Sequence, residues 1–292
     1  MKRSAAFTVF VYVVAALAAS LSVECGHAAK DDLGPGGIVF HHEWLGDIDQ
    51  IGFNEPSGIV FHEPRGTLFV VGDEGDICEI QTDGTAVKQA HIRDADFEGV
   101  TYDPATELLY VAVEGEEKIL EVHPDELRVL REFQIERTFE GRMLLKPGGQ
   151  GVEAITFVPD PSHAQGGTFY LTNQSFDAAA EEDPSVVFEV EVPLREDSGG
   201  EAGARVVRCF SLGISDLAGL HYDRHSDHLY VVSDANNMLL EITRGGGIVD
   251  FWAFPGDNQE GIAVDGEGFV YIAQDSGGIV KVKWRRDGRA GL

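Results

Sequence analysis

The sequence predicts an all-β fold, a five-bladed β-propeller closed by an N-terminal strand. Three observations carry this expectation. Five segments repeat one pattern of short strands, beginning at Ser57, Glu98, Glu153, Ala218 and Glu260. A further strand-like run follows four of the five. Between the runs lie turn residues, drawn from 35 Gly and 11 Pro, rather than helical periods. Four-stranded units recurring every ~40–50 residues are the sequence pattern of propeller blades.

The chain begins with "MKR", then runs without a charge from Ser4 to Val23, and meets "ECGHAAKDD". This order reads as a secretory signal over residues 1–28, with Gly26-His27-Ala28 as the cleavage site. Left uncleaved, the same run would anchor the protein, since ~17–25 apolar residues span a bilayer. The expectation is an exported protein, periplasmic or membrane-associated. Cys25 does not mark a lipoprotein, because Glu24 stands where a small residue is needed.

The propeller domain is expected over 37–284, with a tail at 285–292. "GGIVFHHEWLG", Gly36 to Gly46, reads like the fourth strands found elsewhere. The first repeat is "SGIVFHEPRGTLFVVGDEGDICEI", followed by "AVKQAHI". The second is "EGVTYDPATELLYVAVEGEEKILEV", followed by "RVLREFQI". The third, "EAITFVPDPSHAQGGTFYLTNQ", continues past an insertion to "SVVFEVEV" and "RVVRCFSL". The fourth is "AGLHYDRHSDHLYVVSDANNMLLEI", followed by "IVDFWAF". The fifth, "EGIAVDGEGFVYIAQDSGGIVKV", stops after three strands. A ring avoids exposed strand edges only if it closes, so the N-terminal strand is expected beside the last blade. The alternative of six blades would place another unit within 133–150, a stretch lacking two alternating strands.

Charge and cysteine narrow the function. Fifty Asp and Glu against 22 Lys and Arg give a formal charge of -28. Such a surface repels phosphate backbones, so nucleic acid is not an expected partner. It attracts cations and basic partners, or serves solubility alone. Cys78 and Cys209 have neither CxxC nor metal-ligand spacing, and fall in non-adjacent repeats. Two separate buried thiols are expected.

The acids at the repeat starts are the chemical signal. In a blade the first strand lines the channel, and the second runs antiparallel beside it. The start of one therefore lies near the end of the other. Glu98, Glu153 and Glu260 open first strands, with Ser57 and Ala218 in the same position. Four residues past the aromatic of each second strand stand Asp73, Glu114, Gln174, Asp234 and Asp275. All ten are expected at one mouth of the channel. Crowded carboxylates must be protonated, freely hydrated or neutralised by a cation. Oxygen donors without His or Cys suit Ca²⁺ or Mg²⁺, and Ca²⁺ takes 6–8 oxygens in flexible geometry. The competing reading is a water-filled channel, with Asp73, Asp234 and Asp275 as turn residues. Glu, however, is no turn former and is depleted in strands.

"DFEGVTYDP", "GVEAITFVPD", "DLAGLHYD" and "QEGIAVDGEGFVYIAQD" resemble the SdiA-regulated (YjiK-like) family over about Gly37 to Trp284. The resemblance implies an NHL-repeat-like five-bladed propeller with a bound calcium ion, exported to the periplasm or membrane. It implies no established reaction. Ala218 departs from the glutamate pattern, and Asp216 stands two residues before it.

Two function classes follow. One is a calcium-stabilised binding or scaffold module for a protein or cell-envelope ligand, expected as a monomer. The other is a calcium-dependent hydrolase, a phosphoesterase, phytase-like esterase or lactonase, with the metal in the central channel. Its candidate bases are Glu114, Asp234 and His221. His41-His42 and His221…His225 lack metal-pair geometry, and neither a G-x-S-x-G elbow nor a P-loop is present.

Overall fold

The computed structural model describes residues 38–147, 150–176, 184–196 and 202–285. The expected signal segment and the tail from 286 onward lie outside the described residues. Regular structure among the described residues is entirely β, in 23 strands.

The chain enters through β1 (Ile38–Val39) and β2 (His42–Asp47). A first antiparallel unit follows: β3 (Pro56–His62), β4 (Thr67–Gly72), β5 (Asp76–Gln81) and β6 (Ala86–His91). The second is β7 (Asp96–Tyr102), β8 (Leu109–Glu114), β9 (Lys118–His123) and β10 (Arg128–Ile135). A short hairpin, β11 (Thr138–Phe139) with β12 (Arg142–Met143), occupies the stretch considered for a sixth unit. The third unit is β13 (Val152–Pro159), β14 (Gly167–Asn173), β15 (Val187–Glu191) and β16 (Ala202–Phe210). The fourth is β17 (Gly219–Asp223), β18 (His228–Ser233), β19 (Met238–Thr243) and β20 (Ile248–Ala253). The fifth has three strands of its own, β21 (Gln259–Val264), β22 (Phe269–Gln274) and β23 (Ile279–Trp284).

Two pairings join distant parts. β2 lies antiparallel on β23, with Trp44 opposite Val282 and Asp47 opposite Val280. Just before it, β1 runs parallel to β20, so residues 38–47 bridge the fourth and fifth units. The outer strands β10 and β16 also pair in parallel, through Phe133–Ile135 and Ala202–Ala204, fusing two units into one eight-stranded sheet. Nothing in the repeat pattern announced that join.

The strands form because their apolar runs can be buried on both faces. "LYVAV" in β8 is buried throughout, as is "TLFVVG" in β4. Five apolar clusters result, each shared by neighbouring units. One joins Val71 and Phe69 to Val100 and Val111; another joins Ile59 and Val70 to Tyr271 and Ile279, linking the fifth unit to the first. Cys78 is buried and Cys209 only half-buried, and neither forms a disulfide.

Farther from the centre, each second-strand aromatic faces a third-strand residue that is acidic in four units. Tyr110 donates to Glu121 Oε2 at 3.1 Å, and Arg131 forks onto the same carboxylate at 2.9 and 2.5 Å. Arg208 meets Glu189 at 2.7 Å, Lys88 meets Glu79 at 3.0 Å, and His228 meets Glu241 at 2.7 Å. These acids are buried or half-buried, so the paired base offsets a desolvation cost of several kcal/mol per ion.

The first strands meet backbone to backbone at the centre. A Cβ on Gly58 would sit 2.7 Å from Gly99 Cα, and one on Gly99 2.8 Å from the Ile155 nitrogen. A Cβ on Gly219 would meet Glu260 O at 2.5 Å, and one on Gly261 would meet Ser57 O at 2.7 Å. That closeness explains the small residue after each first-strand acid. It pinches the channel to a cavity of ≈ 10 Å³, space for about one water.

Candidate metal centre

The channel acids owe their position to a repeated irregularity. In the second unit Asp96 pairs with Glu114 and Phe97 with Val113, but the next pair is Gly99 with Ala112. Glu98 is the extra residue of a β-bulge. Ser57 is the extra residue between Pro56 and Gly58, and Glu260 between Gln259 and Gly261. In the third unit the register shifts between Val152 and Ile155, around Glu153. A bulge re-aims a side chain that regular pleating would send elsewhere.

Two groups of carboxylates result. Asp73, Asp96 and Glu98 each offer an oxygen within 4.8 Å of the others, and so do Glu98, Glu114 and Glu153. Glu98 belongs to both. Ser57 donates its hydroxyl to Asp73 Oδ1. Glu114 Oε1 accepts the Gly151 N–H at 2.7 Å, and Asp234 Oδ1 accepts the Gln259 N–H at 2.8 Å. Each thereby ties the end of a second strand to the start of the next unit.

Four of the eight predicted ligands, Asp73, Glu98, Glu114 and Glu153, are brought into the two groups. Glu260, Asp234 and Asp275 stand around the same mouth, where each of the last two raises the Glu260 pKa. Gln174 is half-buried just past β14, its N–H on Gly151 O at 3.0 Å, and is in neither group. In the ladder itself the bulge sets Asp96 directly opposite Glu114, and Gln259 directly opposite Gln274.

Sequence reasoning missed Asp96 as a site residue, although its acid stands two positions before Glu98. Asp216, in the corresponding place before Ala218, is buried and accepts the Ala235 N–H at 2.8 Å. His221 also needs correction. It lies three residues along β17 from Ala218, ~10 Å at strand spacing. There it lines a separate cavity with Tyr102 and Arg224, away from Glu114 and Asp234.

Burial and mutual repulsion hold these carboxyls toward their protonated forms. Burial pushes Glu260 up to about 8, with Asp234 and Asp216 adding to it. Burial likewise takes Glu114 to about 7 and Asp73 to about 6, against a hydrogen bond that opposes each shift. Glu98 and Glu153 are raised well above the usual carboxylate range, by burial first and neighbouring acids second. Asp96 Oδ1 is a buried oxygen without a hydrogen-bond partner. Four glutamates are buried among the described residues; Glu79, Glu117 and Glu121 each meet a Lys or Arg within 4 Å, whereas no described ion pair reaches Glu153. Oxygen donors, an orphaned carboxylate oxygen and missing bases together fit a hard cation.

The sequence profile of the family described as SdiA-regulated matches residues 47–277. The chain belongs to the SdiA-regulated family. No curated protein matches it. Among solved structures, this SdiA-regulated protein is similar to glutaminyl cyclase from Myxococcus xanthus. The TM-score is 0.55 at 14% identity, covering 85% of this chain and 97% of that one. A β-propeller domain of Cps50 (Swd1) from Myceliophteria thermophila gives 0.48 at 10% identity, covering 84% and 100%. At 14% identity the likeness to the cyclase is one of fold alone. The SdiA-regulated chain is a β-propeller, and its acids gather at one mouth of the propeller's channel.

Proposed function

We propose that this SdiA-regulated protein is an exported, calcium-binding, five-bladed propeller that acts as a binding or scaffold module at the cell envelope. The five antiparallel units are its blades, and β2 is the outer strand that closes the fifth. The apolar cluster shared by the fifth and first units supports a closed ring. Export rests on the uncharged Ser4–Val23 run behind Met-Lys-Arg. No described helix is long and apolar enough to cross a membrane.

One observation carries the calcium reading: Glu153 is buried without a base, while the other three buried glutamates among the described residues have one. Asp73, Asp96, Glu98, Glu114 and Glu153 would hold the ion. Glu260, Asp216, Asp234 and Asp275 would add negative charge around it, and Gln174 is a neutral oxygen at the same mouth. Bound calcium would neutralise charge that the protein itself leaves unmatched. The module reading is favoured over hydrolysis by what surrounds the candidate bases. Glu114 and Asp234 are engaged with backbone N–H groups, and His221 lines another cavity.

Thermal denaturation with added Ca²⁺ tests the site. A ligand at 100 times its Kd, bound only by the native state, stabilises by about 2.7 kcal/mol. Tm is expected to rise by several degrees and to fall back on chelation. The rise is expected to disappear in a Glu98→Gln, Glu153→Gln double variant. An undiminished rise in that variant overturns the assignment.

A further inference from the structure

Four of the five large apolar side chains left exposed among the described residues stand on outer strands. Trp44 and Leu45 lie on β2, Val249 on β20 and Val87 on β6. These are outer strands of the fifth, fourth and first units, which neighbour one another through shared apolar clusters. β2 and β6 each end a sheet, and β1 covers only Trp252 and Ala253 of β20. The outer strands of the second and third units, β10 and β16, instead cover each other. Single exposed apolar residues are ordinary on a protein surface. Trp44 and Leu45, however, are adjacent. Leu45 is the extra residue of a bulge between Trp44 and Gly46, and the two are 53% and 45% exposed.

This sector of the rim is also where the chain enters the fold. β1 opens at Ile38, and residues 24–37 link it to the uncharged Ser4–Val23 run. Even fully extended, that link reaches only about 50 Å, at ~3.3–3.6 Å per residue. A bilayer holding the run therefore lies within reach of this rim. Tryptophan favours the level of lipid headgroups, where its ring is in apolar surroundings and its N–H meets water. Charge at this edge differs from the rest of the chain. A formal charge of -28 would repel lipid phosphate from the surface at large. Residues 281–289, on β23 and just after it, hold five bases, Lys281, Lys283, Arg285, Arg286 and Arg289, against one acid, Asp287. Arg285 pairs with Glu43, the residue before Trp44.

We infer that the rim formed by β20, β2 and β6 docks on a phospholipid bilayer, with Trp44 and Leu45 seated at the level of the headgroups. The occupant is lipid rather than a second copy of the chain, because the Ser4–Val23 run joins the fold at this rim. The inference rests on the cell-envelope part of the proposed function and not on its calcium site.

The chain has 3 Trp, and Trp252 and Trp284 are buried, so lipid can reach Trp44 alone. The full chain is reconstituted into phosphatidylcholine vesicles whose acyl chains are brominated near the glycerol. Tryptophan fluorescence is expected to be quenched relative to unbrominated vesicles. Trp44→Phe is expected to lose most of that quenching, and Leu45→Asp to reduce it with Trp44 still present. Both positions are exposed, so both variants are expected to keep the fold and the rise in Tm with calcium. Equal quenching in wild type and Trp44→Phe overturns the inference. A chain that floats with the vesicles while Trp44 stays unquenched overturns the docking and leaves the envelope reading standing. A chain that does not float with them overturns both. A dimer in detergent that Leu45→Asp dissociates would make this rim an interface between copies, and overturns the inference as well.

Discussion

Glu98 is the one side chain shared by both carboxylate groups, and its charge is opposed on two sides by Asp96 and Glu153. The pH dependence of stability follows from such neighbours. Folding raises Asp73, Glu114 and Glu260 to about 6, 7 and 8, from ordinary carboxylate values near ~4. Between pH ~4 and 8 the folded state therefore keeps protons that the unfolded chain has lost, and stability falls as pH rises. In chelator, Tm is expected to drop from pH 5 to pH 8.5. Calcium needs these groups ionised, so the Tm gain it gives is expected to grow across the same window. A calcium gain larger at pH 5 than at pH 8 would contradict the site. Glu98, Glu153 and Glu260 were legible because glutamate at a strand start has no local reason to be there. Asp96 was not, because a repeat alignment assumes regular pairing and the bulge moves the register by one.

At the scale of the element, the acid and its following small residue are one device. The bulge aims the carboxylate, and the glycine lets the neighbouring backbone come near. Gly99→Ala is expected to destabilise by about 1–3 kcal/mol, the range of overpacked sites, because the added carbon would meet the Ile155 backbone nitrogen. Gly203→Ala is the control. It lies in β16 with nothing within 4 Å of its added carbon, and a stability within ~0.5 kcal/mol of wild type is expected. Similar losses at both positions would remove close approach as the reason for the glycine. The five units were readable because period-2 apolar runs and turn residues repeat in order. The parallel join of β10 and β16 was not, since it links two outer strands through a contact that neither repeat needs for its own core.

For the whole molecule, the decisive stretch is 38–47, which spans two units. Phe40, buried between β1 and β2, packs on Trp284 at 5.0 Å, Phe254 at 5.6 Å and Trp252 at 6.4 Å between ring centroids. Phe40→Ala is expected to cost roughly 3–5 kcal/mol, a Tm drop on the order of 10 °C for a domain of this size. A drop under ~2 °C would mean the segment merely rests on the ring. The strand on β23 was legible from the fifth repeat's missing member, whereas the attachment of β1 to β20 left no trace in spacing. The pairing of β2 with β23 also sets an order of events in time. His42–Asp47 leave the ribosome before all five repeats, but their partners, up to Trp284, follow the last of them. Until then β2 has a bare edge, with Trp44 and Leu45 exposed even in the finished fold. Contacts so distant in sequence form slowly, and unpaired strands are where chains stick to one another. The last unit is thus a checkpoint: a chain truncated before residue 279 keeps most of its units yet leaves β2 without a mate.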